Sequence, residues 1–353
     1  MMYFKRPVIG LAVSTLALAA FTACAPAEPE ASHSADSDEG RSSSEPIRFA
    51  LDWSLNTNHI GLVVAEAEGY FAEAGIDVEI LPLGSTTPIE QITAGAADFG
   101  ISEQTGLQIS RTQGHEVTSV FQVVQRETGI VIFHPDRDDI TRPADLDGQT
   151  FGGFGDPIWT AVARAVVTGD GGTGEFDDAV LDADVYDSLD SGAVDFTLSV
   201  VSWENVAAEM EGRPYGTFQY EDFGVPPSHT ISIVGSDSFL SEHPEESRAF
   251  VQAVQRGYAF AVESPEEAAD ILIAADPELF DGLEELVHAS TELLAEDYFT
   301  AEGVDLGAAQ PQFWVDHGEF LLAQGLLTGP DGVELTEAPD WTEYYTNDLL
   351  GAD

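Results

Sequence analysis

The sequence predicts an α/β protein built as two doubly wound lobes with a ligand cleft between them. Three observations carry this. The 353 residues exceed one ordinary domain. Short runs of strand period alternate with amphipathic helical runs that end on glycine, the pattern of a largely parallel sheet covered by helices on both faces. The rhythm of helix, glycine and short strand at Ala94 to Ile101 recurs at Ser188 to Phe196, as two similar lobes require.

Residues 1–23 read as a signal segment: Lys5 and Arg6 precede an apolar run from Val8 to Ala20, too short to span a bilayer. The run ends at Cys24, the one cysteine of the chain, whose position predicts a lipoprotein cleavage site and a lipid on its sulfur. Residues 24–46, rich in Ser, Ala, Pro, Glu and Asp, read as a disordered tether to that anchor. The expected location is extracytoplasmic, on the outer face of the cell membrane.

Residues 47–137 are assigned to the first lobe. Ile47, Phe49, Leu51 and Trp53 alternate with Arg48, Ala50 and Asp52 as a strand, and a polar loop then carries Trp53, Asn56, Asn58 and His59 into a helix that stops at Gly75. Such a strand-to-helix loop is where open α/β sheets bind small molecules. Asp77 to Leu81 is a second strand. Thr87, Pro88 and Glu90 form a capping box. Asp98 to Ile101 is a short buried strand, and Ser102 caps the next helix; two strand ends, Ser102-Glu103-Gln104 and Gln125 to Thr128, face the cleft, with Ser102, Glu103 and Gln125 as the candidate ligand groups. Val117 to Val124 and Gly129 to Phe133 are two further strands.

Residues 138–229 are assigned to the second lobe. A strand at Thr150 to Gly152 leads into the tight loop Gly153-Phe154-Gly155-Asp156-Pro157, in which Gly155 and Asp156 bring backbone close to a ligand. The loop lacks the Lys-Ser/Thr ending of a phosphate-binding loop. The strand from Phe196 to Val201 runs into Ser202-Trp203-Glu204-Asn205, where Trp203 offers a stacking face and Glu204 an acceptor for an amine or protonated ring nitrogen, or else Trp203 packs in the core and Glu204 caps a helix dipole. Residues 230–353 return to the first lobe through a strand from Thr230. Helices follow, including a capping box at Ser264 to Glu267 and a last helical segment from Trp341 to Leu350.

The pattern Asp52-Trp53, Asn56, Asn58-His59, Gly61, Ala65, Gly69-Tyr70-Phe71, Gly75 and Asp77-Val78 resembles the thiamine-precursor (THI5/NMT1-like) group of substrate-binding proteins. The resemblance spans roughly Pro46 to Asp237. It implies a type II periplasmic-binding-protein fold and service to an ABC permease and its ATPase. It also implies a monomer that clasps an aminopyrimidine of the formylamino or hydroxymethyl type, with an aromatic-Glu pair at Trp203-Glu204 lining the cleft.

Net charge is −52, from 64 acidic and 12 basic residues, which excludes nucleic acid as a partner. The acid is spread along the whole chain and reads as a solvated surface adapted to salt. No HExxH, GxSxG or CxxC motif occurs, and no cofactor or metal site is predicted. The related eukaryotic pyrimidine-making enzymes carry a cysteine-rich motif that this chain lacks, so an enzyme is the lesser reading. A sulfonate, nitrate or riboflavin is the alternative ligand. An anion needs cationic contacts, for which Arg111, Arg126 and Arg164 are the candidates.

Overall fold

The computed structural model describes residues 45–153, 155–181 and 185–351. The signal segment, Cys24, the tether to residue 44 and Phe154 lie outside the described residues. The chain first lays down β1 (Ile47–Ala50), α1 (Ile60–Ala67), α2 (Tyr70–Glu73), β2 (Val78–Leu81), α3 (Pro88–Thr93), β3 (Phe99–Ser102), α4 (Gln104–Thr112) and β4 (Val117–Gln122). It then crosses to β5 (Gly129–Phe133), β6 (Thr150–Gly153), α5 (Pro157–Gly169), β7 (Asp177–Val180), α6 (Val185–Asp190), β8 (Phe196–Val200), α7 (Val206–Met210) and β9 (Gly216–Gln219). It returns through β10 (Ser232–Ser236) to α8 (Asp237–Glu242), α9 (Pro244–Glu263), α10 (Pro265–Ala275), α11 (Glu284–Leu293) and α12 (Pro311–Ala323).

The first sheet has the order β2-β1-β3-β10-β4 and the second β7-β6-β8-β5-β9, one pattern built twice. Within each, strands joined by helical crossovers run parallel. The strand that arrives from the other lobe, β10 or β5, is antiparallel to both neighbours. Each sheet is therefore largely parallel, as expected, with one reversed strand where the chain changes lobes.

Four details differ from the sequence reading. The division at 137/138 is displaced, because β5 pairs with β8 and β9; the chain changes sheets between Gln122 and Gly129. Every residue of β5 is buried, so its apolar run would suit the middle of either sheet. Strands β7 and β9 carry no clear apolar signal because both lie at the edges of the second sheet. Neither Ser102 nor Ser264 makes a side-chain cap, whereas the box at Thr87 and Glu90 forms with bonds of 3.2 and 2.8 Å. Beyond Trp341–Glu343, a single 3-10 turn, the C-terminal stretch to Leu350 is not helical.

The first lobe is held by Phe49, Phe71, Phe99 and Phe250, with ring centroids 4.5–5.9 Å apart. Beside them α1 crosses α9 at a glycine pair. A Cβ on Gly257 would fall 1.9 Å from the Gly61 carbonyl oxygen, and one on Gly61 would enter the Tyr258 ring. This close approach gives Gly61 of the family pattern a packing reason. Helices α9 to α11 cover one face of the first sheet and α12 the other.

Candidate functional site

Four segments bring carboxylates together where the lobes meet: the loop after β1 (Asp52), the β3–α4 turn (Glu103), the β6–α5 turn (Asp156) and the first crossover (Glu127). Glu103 is open to solvent yet surrounded by protein, the environment of a cleft floor. That enclosure, with the charges of Asp52, Glu127 and Asp156, pushes its carboxyl up to about 7. Asp156 and the neighbouring Gly155 (φ 79°) belong to the second lobe and Glu103 to the first, so the cluster is a product of both. Asp156 Oδ1 accepts the Ile158 N–H at 2.8 Å, which orients the turn as the N-cap of α5. Ser102, half-buried, donates its hydroxyl to the Glu103 carbonyl at 3.2 Å. Tyr220 lies buried against Glu127 and Glu103; burial first, then those two charges, raise its phenol well above the ordinary value.

The loop from Asp52 to His59 is fixed from inside. His59 is buried; its Nδ1 accepts the Asn56 N–H at 3.2 Å and its Nε2–H donates to Asp52 Oδ1 at 2.8 Å, which defines the tautomer. Asn56 accepts from the Asn58 N–H at 2.8 Å and donates to the Ser54 carbonyl at 2.9 Å. The polar atoms of Asn56 and His59 are thus committed to the frame. Asn58 uses its carbonyl for the Tyr258 hydroxyl at 2.5 Å, while its half-buried side-chain amide meets none of the described hydrogen bonds.

Other residues expected from the sequence are placed elsewhere. Gln125 is buried, donating to the Ala308 carbonyl at 3.0 Å and accepting from Gln310 Nε2 at 3.2 Å, so it ties the crossover to the C-terminal segment. Trp203 leaves the second sheet but packs, half-buried, on the first lobe's core. Glu204 borders a cavity of about 170 Å³ inside the second lobe with Asp190, Arg213 and Tyr215, and burial raises its carboxyl. Trp53, 64% exposed, lines a mainly apolar cavity of about 650 Å³ with Leu83, Ile271 and Leu279, all of the first lobe. Arg111 binds Asp237 and Arg164 the Gly174 carbonyl, while exposed Arg126 stands 4.0 Å from Asp297.

Sequence reasoning gave Glu127 no role beyond its place in the cleft-facing stretch Gln125 to Thr128, and it missed Tyr220 and His229. Their partners lie about a hundred residues away, beyond any local signal. Buried His229 donates Nδ1–H to the Val124 carbonyl at 3.0 Å and accepts the Gln310 N–H on Nε2 at 3.1 Å. Burial pushes its imidazole down to about 4.

The NMT1/THI5 like family model matches residues 56–268. The chain is 30% identical to the formylaminopyrimidine-binding protein of Halalkalibacterium halodurans over 81% of this chain and 87% of that one. It is 26% identical to the riboflavin-binding protein RibY of Chloroflexus aurantiacus over 92% and 95%. Pyrimidine phosphate synthases also stand among its relatives. Its fold matches that of the periplasmic aliphatic sulphonate binding protein SsuA of Escherichia coli with a TM-score of 0.61, at 12% identity and over 84% and 94% of the two chains. It is the periplasmic-binding-protein fold.

Proposed function

This chain belongs to the NMT1/THI5-like family, and from that premise we propose that it is the extracytoplasmic solute-binding component of an ABC importer for a thiamine-precursor aminopyrimidine. One observation carries the ligand class. Asp52, Glu103 and Asp156 bring acceptors to the lobe junction from both sides, while Arg111 and Arg164 are committed elsewhere and exposed Arg126 is paired with Asp297. An ionised carboxylate only accepts hydrogen bonds, so the site suits an exocyclic amine or protonated ring nitrogen and repels a sulfonate or nitrate.

In this reading Glu103 and Asp156 take the amino group, Gly155 lets backbone approach the ring, and the Asn58 amide serves a ring nitrogen or formyl oxygen. Ser102, Asn56, His59 and Gln125 hold that geometry. Trp203 ties the second lobe to the first lobe's core, and Glu204 serves within the second lobe. Trp53, exposed on the loop beside Asp52, can turn toward a ring that enters. The lobes close around the ligand by hinge motion, and the closed form is presented to the permease and ATPase. The protein works as a monomer, held to the membrane through lipid on Cys24.

The binding reading is preferred to synthesis because the chain has no cysteine beyond Cys24. Tryptophan fluorescence titration against formylaminopyrimidine, hydroxymethylpyrimidine, riboflavin, taurine and nitrate tests the ligand, with mass spectrometry of the incubated pyrimidine to detect turnover. Saturable quenching by a pyrimidine that is recovered unchanged is expected. A response to taurine or nitrate alone, or a chemically altered pyrimidine, would refute it.

A further inference from the structure

The two segments that cross between the lobes, residues 123–128 and 220–231, are joined most densely at one side chain, Glu127. Glu127 Oε1 accepts the Gly129 N–H at 2.7 Å and the Thr230 hydroxyl at 2.9 Å. Its Oε2 accepts the Ser228 N–H at 3.0 Å and the Ser228 hydroxyl at 2.9 Å. One carboxylate of the outgoing crossover therefore takes one donor from the start of β5 and three from the returning crossover. Flanking bonds continue the seam: Thr128 N–H to the Thr230 hydroxyl at 3.3 Å and Val123 N–H to the Ile231 carbonyl at 3.0 Å.

From this arrangement we propose that Glu127 is the pin of the interlobe hinge, joining both crossovers so that the lobes swing about one line and meet the ligand at one separation. The proposal rests on the two-lobe binding reading above. The chemistry calls for a carboxylate. Two of the donors are backbone N–H groups that cannot reverse, and only an acceptor on each oxygen serves both. A glutamine of the same shape would aim an NH₂ at one of them. Holding a charge here is costly: burial raises the Glu127 carboxyl, and the four hydrogen bonds pull the other way. Glu103, Tyr220 and Tyr298 also face it. The group is placed among acids at the junction, where a neutral residue would suit electrostatics better; geometry is what it supplies.

The test reads the interlobe distance without ligand. In the full chain carrying Cys24→Ser, spin labels at Glu68→Cys (first lobe, exposed) and Glu175→Cys (second lobe, exposed) report the separation by pulsed electron resonance. With Glu127 present the distribution is expected to be narrow. Glu127→Gln should broaden it at least twofold, while labels placed within one lobe, at Glu68→Cys and Glu116→Cys, keep their width. Thr230→Val, which removes one donor of four, should give an intermediate broadening and serves if Glu127→Gln fails to fold. An unchanged interlobe width in either folded variant would overturn the proposal. Titrating the same samples with formylaminopyrimidine separates the two claims. Absence of binding in the parent chain counts against the ligand, whereas the unliganded widths judge the hinge.

Discussion

His59 Nε2 stands 2.8 Å from Asp52 Oδ1, and this bond sets where the first lobe's loop offers its carboxylate to the lobe junction. The histidine is buried and spends both nitrogens within the loop. His59→Ala should therefore act as a folding defect first, costing about 1–3 kcal/mol through the unpaired Asn56 N–H and Asp52 carboxylate. Urea unfolding checks the size, and pyrimidine affinity should fall with it.

Glu103 gives a pH dependence of definite sign. Its carboxyl is raised to about 7 in the folded chain, so the native state holds a proton that the unfolded chain releases near 4.5. Glu103→Gln should stabilise the protein at pH 8, and the advantage should shrink through pH 7 and vanish below about 4.5. A ligand amine favours the ionised form, so wild-type affinity should drop between pH 8 and 6 and the variant's should stay flat. Calorimetry in buffers of different ionisation enthalpy measures both the affinity and the proton released.

Buried His229 and His317 act in the opposite direction. Burial lowers both to about 4, so the unfolded chain takes up protons first as pH falls from 6.5. Each withdraws stability across that window and none above it. Nitrogen NMR should find both rings neutral at pH 5, with Nδ1 protonated in His229. A ring charged at pH 5.5 would contradict this.

Gly257→Ala should be strongly destabilising although the change adds one methyl group. The new Cβ meets the Gly61 carbonyl backbone, not a side chain that can move, and α1 must separate from α9. The expected cost is about 1–3 kcal/mol, the range for overpacking, read as a lower melting temperature.

Much of the fold was legible because it is written locally. Strand period, glycine stops and the Thr87 capping box identify most of the first lobe, and the Ser188 to Phe196 echo announces a second. What the chain did not reveal is which sheet a fully buried strand joins, as with β5, or an edge strand with few apolar residues, as with β7 and β9. The candidate site was legible in part. Glu103, Gly155 and Asp156 are at the junction because they follow strands that end there. Gln125 and His59 were read as ligand groups, yet their partners, Ala308 and Gln310 for one and Asp52 and Asn56 for the other, absorb them. Polar residues in a loop look alike whether they wait for a ligand or brace the backbone. Trp53 and Asp52 adjoin in sequence but point to different places, the cavity beside Ile271 and the junction beside Glu103.

A crystal structure with formylaminopyrimidine bound decides whether the lobe junction is the ligand site. Density for the ring is expected between the lobes, with its amino group within hydrogen-bond distance of the Glu103 or Asp156 carboxylate. A pyrimidine seated in the first lobe's cavity beside Trp53, with the junction of Asp52, Glu103 and Asp156 untouched, would contradict it.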